Sequence, residues 1–251
     1  MKNDAVVVVG DRFDDFLAND GTISMSELME RVHADDAPRG LPILVGQGLA
    51  EGQLEALERL VQGGRLSVGG PLPAYVARDL THKRDPKNVL IGLPEPLADG
   101  RFVADLLIDG STETMEDHLT GQHVPAIVLT EAARQMWTVV TERYLLDHNG
   151  MSIRFVINDV QSAFRALVFP LPATVEYELI GREANPVQQV FTCRVTVHQG
   201  GAVAAEVQAS YRVIPERFSD KQERMAAKQA VAQHLAEVDE LATGGSPAKA
   251  A

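Results

Sequence analysis

Near the middle of this 251-residue chain, His118, His123, Glu131 and Arg134 fall within a single short stretch. His and Glu can accept and return a proton close to neutral pH. Arg can grip a phosphate or carboxylate through two parallel hydrogen bonds. Their setting narrows the chemistry. Pro125 stands where a helix would open, because its missing N–H would be unpaired in the first turn anyway. From there the i, i+3 and i+4 spacing aligns Glu131 with Arg134 and Gln135, and Thr138 and Glu142 continue that face. Ile127, Val128, Leu129, Ala132, Ala133, Met136, Trp137, Val139 and Val140 fill the other positions. A helix this apolar is expected to be buried, with its polar stripe lying along a cleft or under solvent. In a cleft, these groups could act on a bound carbonyl. The amides at the helix start, near Ala126 and Ile127, would polarise a carbonyl where partial positive charge collects, and the histidines with Glu131 would move protons. The plainer alternative is a solvated helix face below an exposed loop, with Arg134 paired to Glu131 three residues back. Upstream, His82-Lys83 would either neutralise a phosphate or decorate the surface.

Other chemistries find less support. Asp117, His118, His123 and Glu131 are metal ligands by type, yet their spacing matches no metal motif, so no metal is expected. No Gly-x-Ser-x-Gly elbow marks a nucleophilic serine. Gly46-Gln47-Gly48-Leu49-Ala50-Glu51-Gly52 joins a strand to a helix without forming Gly-x-Gly-x-x-Gly, so a phosphate cradle is not expected there. Asp11, Asp14 and Asp15 follow the first strand as in phospho-receivers, but too few strands follow. Residues 1–70 are therefore expected to be a docking or dimerisation unit.

The elements that must position these side chains divide in two. In the N-terminal third, Ala5–Val9, Leu41–Val45 and Leu66–Val68 read as buried strands. Helical spacing at Ser24–Val32, with Ser24 as N-cap, and at Ala50–Val61 alternates with them. That order predicts a small α/β unit with a short parallel sheet. Gly69-Gly70-Pro71-Leu72-Pro73 opens a linker over 71–81. Residues 82–216 then read as strands Asn88–Leu93 and Phe102–Ile108, a helix from Pro125 to about Leu146 ended by Asn149-Gly150, and antiparallel strands Ile153–Val168, Thr174–Arg182, Val190–His198 and Val203–Ile214. The last two alternate cleanly, with Phe191, Cys193, Val195 and Val197 on one face. A curved antiparallel sheet wrapped around a long central helix satisfies this order, so the predicted class is α+β. Residues 217–251 read as a charged helix (Ser219–Leu241) and a disordered tail.

The run His123-Val124-Pro125-x-x-x-Leu129-x-Glu131-Ala132-Ala133-Arg134-Gln135, with Thr81-His82-Lys83 ahead of Asn88-Val89-Leu90-Ile91, resembles the A-factor biosynthesis hotdog family, the enzymes of γ-butyrolactone signal synthesis. More distantly, His118 to Glu131 resembles the histidine loop and helical glutamate of hotdog 3-hydroxyacyl-thioester dehydratases. Two departures stand out. Pro125-Ala126 replaces the usual Pro-Gly, which bears on how closely a thioester approaches the helix end. The His118-to-Glu131 interval is also one residue shorter than in the dehydratases. The resemblance covers roughly residues 82–215 and implies a hotdog fold. It also implies transfer of a β-ketoacyl group from a carrier thioester, acyl-CoA or acyl-carrier protein, to dihydroxyacetone phosphate. In that scheme no resident cofactor is needed. Glu131 acts as general base or orients the acceptor, His118 or His123 assists, Arg134 contacts phosphate, and Gln135, Ala126, Ile127, His82 and Lys83 complete the substrate site. A dehydratase or thioesterase, or a non-catalytic acyl or signal binder, would use the same fold. The family commonly holds two hotdog units in one chain and this sequence shows no internal repeat. The exposed sheet edge of a lone unit makes a homodimer the expectation.

Bulk composition agrees with a globular protein, at 45% hydrophobic and 23% charged. A net charge of −12 argues against non-specific nucleic-acid binding. The single cysteine, Cys193, cannot form an internal disulfide and reads as a small buried apolar residue. The valines near the N-terminus are too few for a secretory segment, and no later run approaches a membrane span. A cytoplasmic protein without membrane partners is expected.

Overall fold

The computed structural model describes residues 5–146, 152–185 and 187–242. The β-branched run near the N-terminus forms β1 (Val6–Val9) in a parallel sheet ordered β2-β1-β3-β4. Strands β3 (Leu41–Val45) and β4 (Leu66–Val68) lie where their apolar runs predict. Strand β2 (Thr22–Ser24) is an addition. Its single apolar residue, Ile23, gives no periodic signal, and it forms by pairing with the open side of β1. Helices α1 (Met25–His33) and α2 (Glu51–Gln62) cover one face of this sheet. The Ser24 hydroxyl caps α1 by accepting from the Glu27 amide at 3.1 Å. The opposite face is not free. Val9, with Phe13 and Phe16 from the following turn, enters the core of the rest of the chain.

The second sheet is antiparallel, ordered β5-β6-β8-β9-β10-β7. Its strands are β5 (Glu95–Ala98), β6 (Arg101–Asp105), β7 (Ile153–Phe164), β8 (Thr174–Ala184), β9 (Gln189–Gln199) and β10 (Ala202–Pro215). After a short helix α3 (Glu113–Glu116), the long helix α4 (Ala126–Val140) lies against the sheet. Val128, Leu129, Ala132, Ala133, Met136 and Trp137 of α4 share one core with Val175, Tyr177, Phe191, Val195, Val207 and Tyr211. Trp137 and Phe191 each stack on Tyr211 at 5.6 Å. A curved sheet around a central helix is the hotdog arrangement that the sequence predicts. Cys193 is buried, and desolvation pushes its thiol up to about 12, which leaves it protonated and inert.

Several elements differ from their sequence-based outlines, for physical reasons. Pro125 sits at the N-cap rather than the first helical position, with ψ at 144°. The predicted strand Asn88–Leu93 is instead a 3₁₀ turn (Pro86–Asn88) followed by isolated bridges at Ile91 and Gly92. Here the buried Gln135 side chain replaces a neighbouring strand. It accepts from the Leu90 amide at 2.8 Å and donates to the Asn88 carbonyl at 2.8 Å. The strand predicted to run to Ile108 stops at Asp105 for a similar reason. Buried Gln47 donates to the Leu106 carbonyl at 2.8 Å and accepts from the Ile108 amide at 2.9 Å. Strand β7 ends at Phe164, because the amides of Arg165 and Ala166 both turn to the Ala204 carbonyl. Helix α4 continues as a single π turn, Thr141–Leu145. The Asn149-Gly150 stop lies outside the described residues, as does the tail from residue 243. Helix α5 (Glu216–Ala242) is exposed from Lys221 to Asp239.

Gln135→Leu keeps the volume of the buried side chain but strands two backbone groups. At about 1–3 kcal/mol for each unsatisfied group, stability should fall by roughly 2–6 kcal/mol in urea unfolding. A loss below about 1 kcal/mol would show that these backbone groups do not depend on Gln135.

Candidate active site

The polar stripe of α4 meets the chain between Arg78 and Leu90, not open water. Arg134 Nη2 donates to the Thr81 carbonyl at 2.9 Å. Its Nε and Nη2 also grip Glu131 as a two-pronged pair, at 2.8 and 2.9 Å. Lys83 Nζ approaches the same carboxylate at 2.6 Å, and Gln135 Nε2 donates to it at 3.1 Å. Glu131 therefore sits at the centre of a three-residue cradle. Burial raises its pKa, but Arg134, Lys83 and Gln135 together outweigh that cost and hold the carboxyl below its ordinary value. An ionised, fully engaged carboxylate is a weaker base than a free one.

His82 closes the near end. It ends the 3₁₀ turn Arg78–Thr81 in the left-handed region, at φ 56° and ψ 37°. That conformation is costly for a residue with a side chain, at about 1–3 kcal/mol, and such strain clusters at working sites. The ring is placed 2.9 Å from Glu142 through Nε2 and edge-on to Phe155 at 5.5 Å. Beside it opens a cavity of about 390 Å³, lined by His82, Arg134, Trp137, Thr138, Arg154 and the β7 residues Ile153, Phe155 and Ile157. Its size is that of a small-molecule site, and its lining mixes apolar side chains with the cationic groups of Arg134 and Arg154. A different cleft, of about 250 Å³, lies between β3, β4 and Asp105 and touches none of the predicted site residues.

The structure thus gathers Glu131, Arg134, Gln135, His82 and Lys83. It does not bring the histidine loop into that group. His118 is exposed, and its carbonyl accepts a hydrogen bond from Arg12. His123 is half-buried, with Nδ1 hydrogen-bonded to the Thr120 hydroxyl at 3.1 Å. Among the described residues neither histidine bonds to Glu131. Ala126 and Ile127 form the exposed first turn of α4, one end of a surface that continues through Thr130 to Ser162 on β7, their hydroxyls 3.5 Å apart. Sequence reasoning missed the Thr81 carbonyl, Arg154 and the apolar residues of β7 at the site, and the hold of Arg12 on the histidine loop. None carries a local signal, since each makes its contact only through tertiary closure. Among the described residues, no group of His, Cys, Asp and Glu is arranged to hold a metal ion, and no helix is long and apolar enough to cross a membrane.

Comparison with known proteins bears on this geometry. The sequence pattern that describes the A-factor biosynthesis hotdog domain matches residues 68–215. Compared with the curated proteins, the chain matches none. Among solved structures, a conserved protein of Pseudomonas aeruginosa is 15% identical, covering 55% of this chain and all (100%) of its own, at a TM-score of 0.39. A mutant thioesterase from the same organism is 14% identical over 66% of this chain and 95% of its own, at 0.37. A hypothetical thioesterase of Streptococcus pneumoniae, solved with coenzyme A, is 14% identical over 49% and 84%, at 0.35. The family match, not these partial overlaps, carries the assignment.

Because the folded state holds Glu131 ionised, the unfolded chain, with a carboxyl near 4.3, takes up the proton first on acidification. The contribution of the cradle is present above that value and lost as pH falls through the lower folded value. The difference in melting temperature between wild type and Glu131→Gln should therefore be open at pH 7 and close below about pH 4. A difference that stays constant across that range would mean that the charge of Glu131 does not stabilise the fold.

Proposed function

The chain belongs to the A-factor biosynthesis hotdog family, and on that footing we propose that it is an acyl-thioester enzyme moving a β-ketoacyl group from a carrier thioester to dihydroxyacetone phosphate. One observation carries the reading: a cavity lined by Trp137, Ile153, Phe155 and Ile157 together with His82, Arg134 and Arg154 lies beside the Lys83–Glu131–Arg134 cradle. The apolar side chains suit an acyl chain, and the cations suit a phosphate. In the reaction the acceptor hydroxyl oxygen attacks the thioester carbonyl carbon. A C–O bond forms, the C–S bond breaks, and the hydroxyl proton ends on the departing thiolate.

We assign the proton shuttle to His123, whose ring is fixed by Thr120, over the exposed His118. The amides of Ala126 and Ile127 polarise the carbonyl. The low pKa of Glu131 suits it to orienting Lys83 and Arg134, and through them the acceptor, rather than to taking the proton itself. The carrier is coenzyme A or an acyl-carrier protein, and no resident cofactor enters the scheme.

A second copy of the chain completes the site in this reading. Strand β7 is a sheet edge, paired as a strand only with β10 among the described residues, and it exposes Ile157, Val160 and Phe164. An edge of this length carrying apolar residues is ordinarily covered, and here it borders the cavity.

Two experiments follow. Incubated with a β-ketoacyl thioester, the protein should release free thiol when dihydroxyacetone phosphate is present, with a phosphorylated ester appearing by mass spectrometry. His123→Gln should lower kcat by about 100-fold or more, and Arg134→Ala should raise the KM for the acceptor. Unchanged turnover in both Glu131→Gln and Arg134→Ala would end the transferase reading, and thiol release without acceptor would make the enzyme a thioesterase. Separately, light scattering should show a dimer that Val160→Lys converts to monomer with loss of activity. A wild-type monomer would contradict the shared site.

A further inference from the structure

The loop that carries both histidines has little regular structure of its own, and the N-terminal unit holds it at successive points. Arg12, in the turn after β1, donates from Nη2 to the Met115 carbonyl at 2.7 Å and to the His118 carbonyl. Among the described residues nothing accepts from its buried Nε, so the guanidinium is kept in place at a cost rather than left in water. Four residues on, the Phe16 amide donates to the Gly121 carbonyl at 3.1 Å. Gly121 itself sits against the same turn. A Cβ there would fall 2.0 Å from Asp14 Oδ1 and 3.1 Å from the Asp15 amide nitrogen. Below these contacts Phe13 and Phe16 are buried in one core with Met115 and Val124, the residues that bracket the loop. The contacts span more than a hundred residues of sequence and converge on the segment that ends at His123 and Pro125.

We propose that Arg12 is a positioning residue for the acyl site. Its guanidinium fixes the Met115 and His118 carbonyls and so sets where His123 stands relative to the first turn of α4. The N-terminal sheet is then a part of the active site and not an appendage to it. The proposal rests on the acyl-thioester reading for its catalytic consequence, while the structural placement of the loop can be tested alone.

The test compares wild type with Arg12→Ala and Arg12→Lys, and with His123→Gln in the wild-type and Arg12→Ala backgrounds. Thiol release from a β-ketoacyl thioester in the presence of dihydroxyacetone phosphate gives kcat and KM. Carbon-edited NMR of the imidazoles reports the surroundings of His118 and His123. Arg12→Ala should lower kcat by about 10- to 100-fold, the scale of a small misplacement of a reacting group, with thioester KM nearly unchanged. Low concentrations of guanidinium should restore part of the loss. The imidazole signals should shift, and Arg12→Ala should add no further loss to His123→Gln, because Arg12 acts through that residue. Multiplicative losses, or unmoved imidazole signals in a folded variant, would overturn the proposal. If Arg12→Ala does not fold, Arg12→Lys, which keeps the charge but not the two-carbonyl grip, is read by the same criteria. Should wild type release no thiol at all, the function reading fails on its own, and the imidazole shifts still decide whether Arg12 places the loop.

Discussion

Burial of α4 on nearly every side is the constraint on which the rest of the hotdog unit depends. A helix wrapped by a sheet can bury its apolar residues without difficulty, but each polar group carried inward must find a partner there. A satisfied hydrogen bond contributes only about 1 kcal/mol net, whereas a stranded buried group costs about 1–3 kcal/mol. The network of Gln135, Glu131, Arg134 and Lys83 is therefore better seen as a requirement than as a source of stability. It also dictates the path of the segment from Thr81 to Leu90, which follows the partners that α4 offers instead of a neighbouring strand.

The N-terminal sheet obeys a related constraint. Parallel strands are usually covered on both faces, and open α/β sheets bind ligands in the crevice beyond the carboxyl ends of their strands. Here those ends are already occupied. Gln47 reaches into the hotdog unit to bond Leu106 and Ile108, and the Gly48 amide donates to the Ile108 carbonyl at 2.7 Å. Gly10 and Gly48 lie so close that a Cβ on Gly10 would stand 2.0 Å from the Gly48 carbonyl oxygen. A crevice that in other α/β folds would receive a nucleotide receives another part of the same chain. The absence of a phosphate-binding glycine pattern in residues 46–52 agrees with this arrangement.

Where side-chain period and burial coincide, the sequence was readable. The alternation of Phe191, Cys193, Val195 and Val197 places β9, the apolar run of α4 places the central helix, and Ser24 marks the start of α1. The stripe Glu131, Arg134, Gln135 was legible for the same reason, since helix geometry alone puts those side chains together. What escaped reading was every place where a side chain stands in for backbone. Gln135 and Gln47 are ordinary polar letters in a sequence, yet each replaces a strand partner and shortens a predicted strand. The β2 strand and the Arg12 contact depend on surfaces that exist only after the chain has closed, so no window of neighbouring residues could contain them.

The pairing of Arg134 with Glu131 also fixes where the positive charge of α4 stands. Long side chains on a helix lean toward its N-terminus, and the bond to Glu131 draws the guanidinium back by about one turn. Its third nitrogen, Nη1, lies 3.4 Å from the Thr138 hydroxyl on the next turn, and Nη2 also donates to the Thr81 carbonyl. All three nitrogens are therefore engaged, between two turns of α4 and the segment that follows Arg78. An unpaired Arg134 reaching into solvent would leave its charge free to wander. The ion pair and an anion-binding role are not competing readings of the residue, because the pair with Glu131 is part of what fixes where the cation stands.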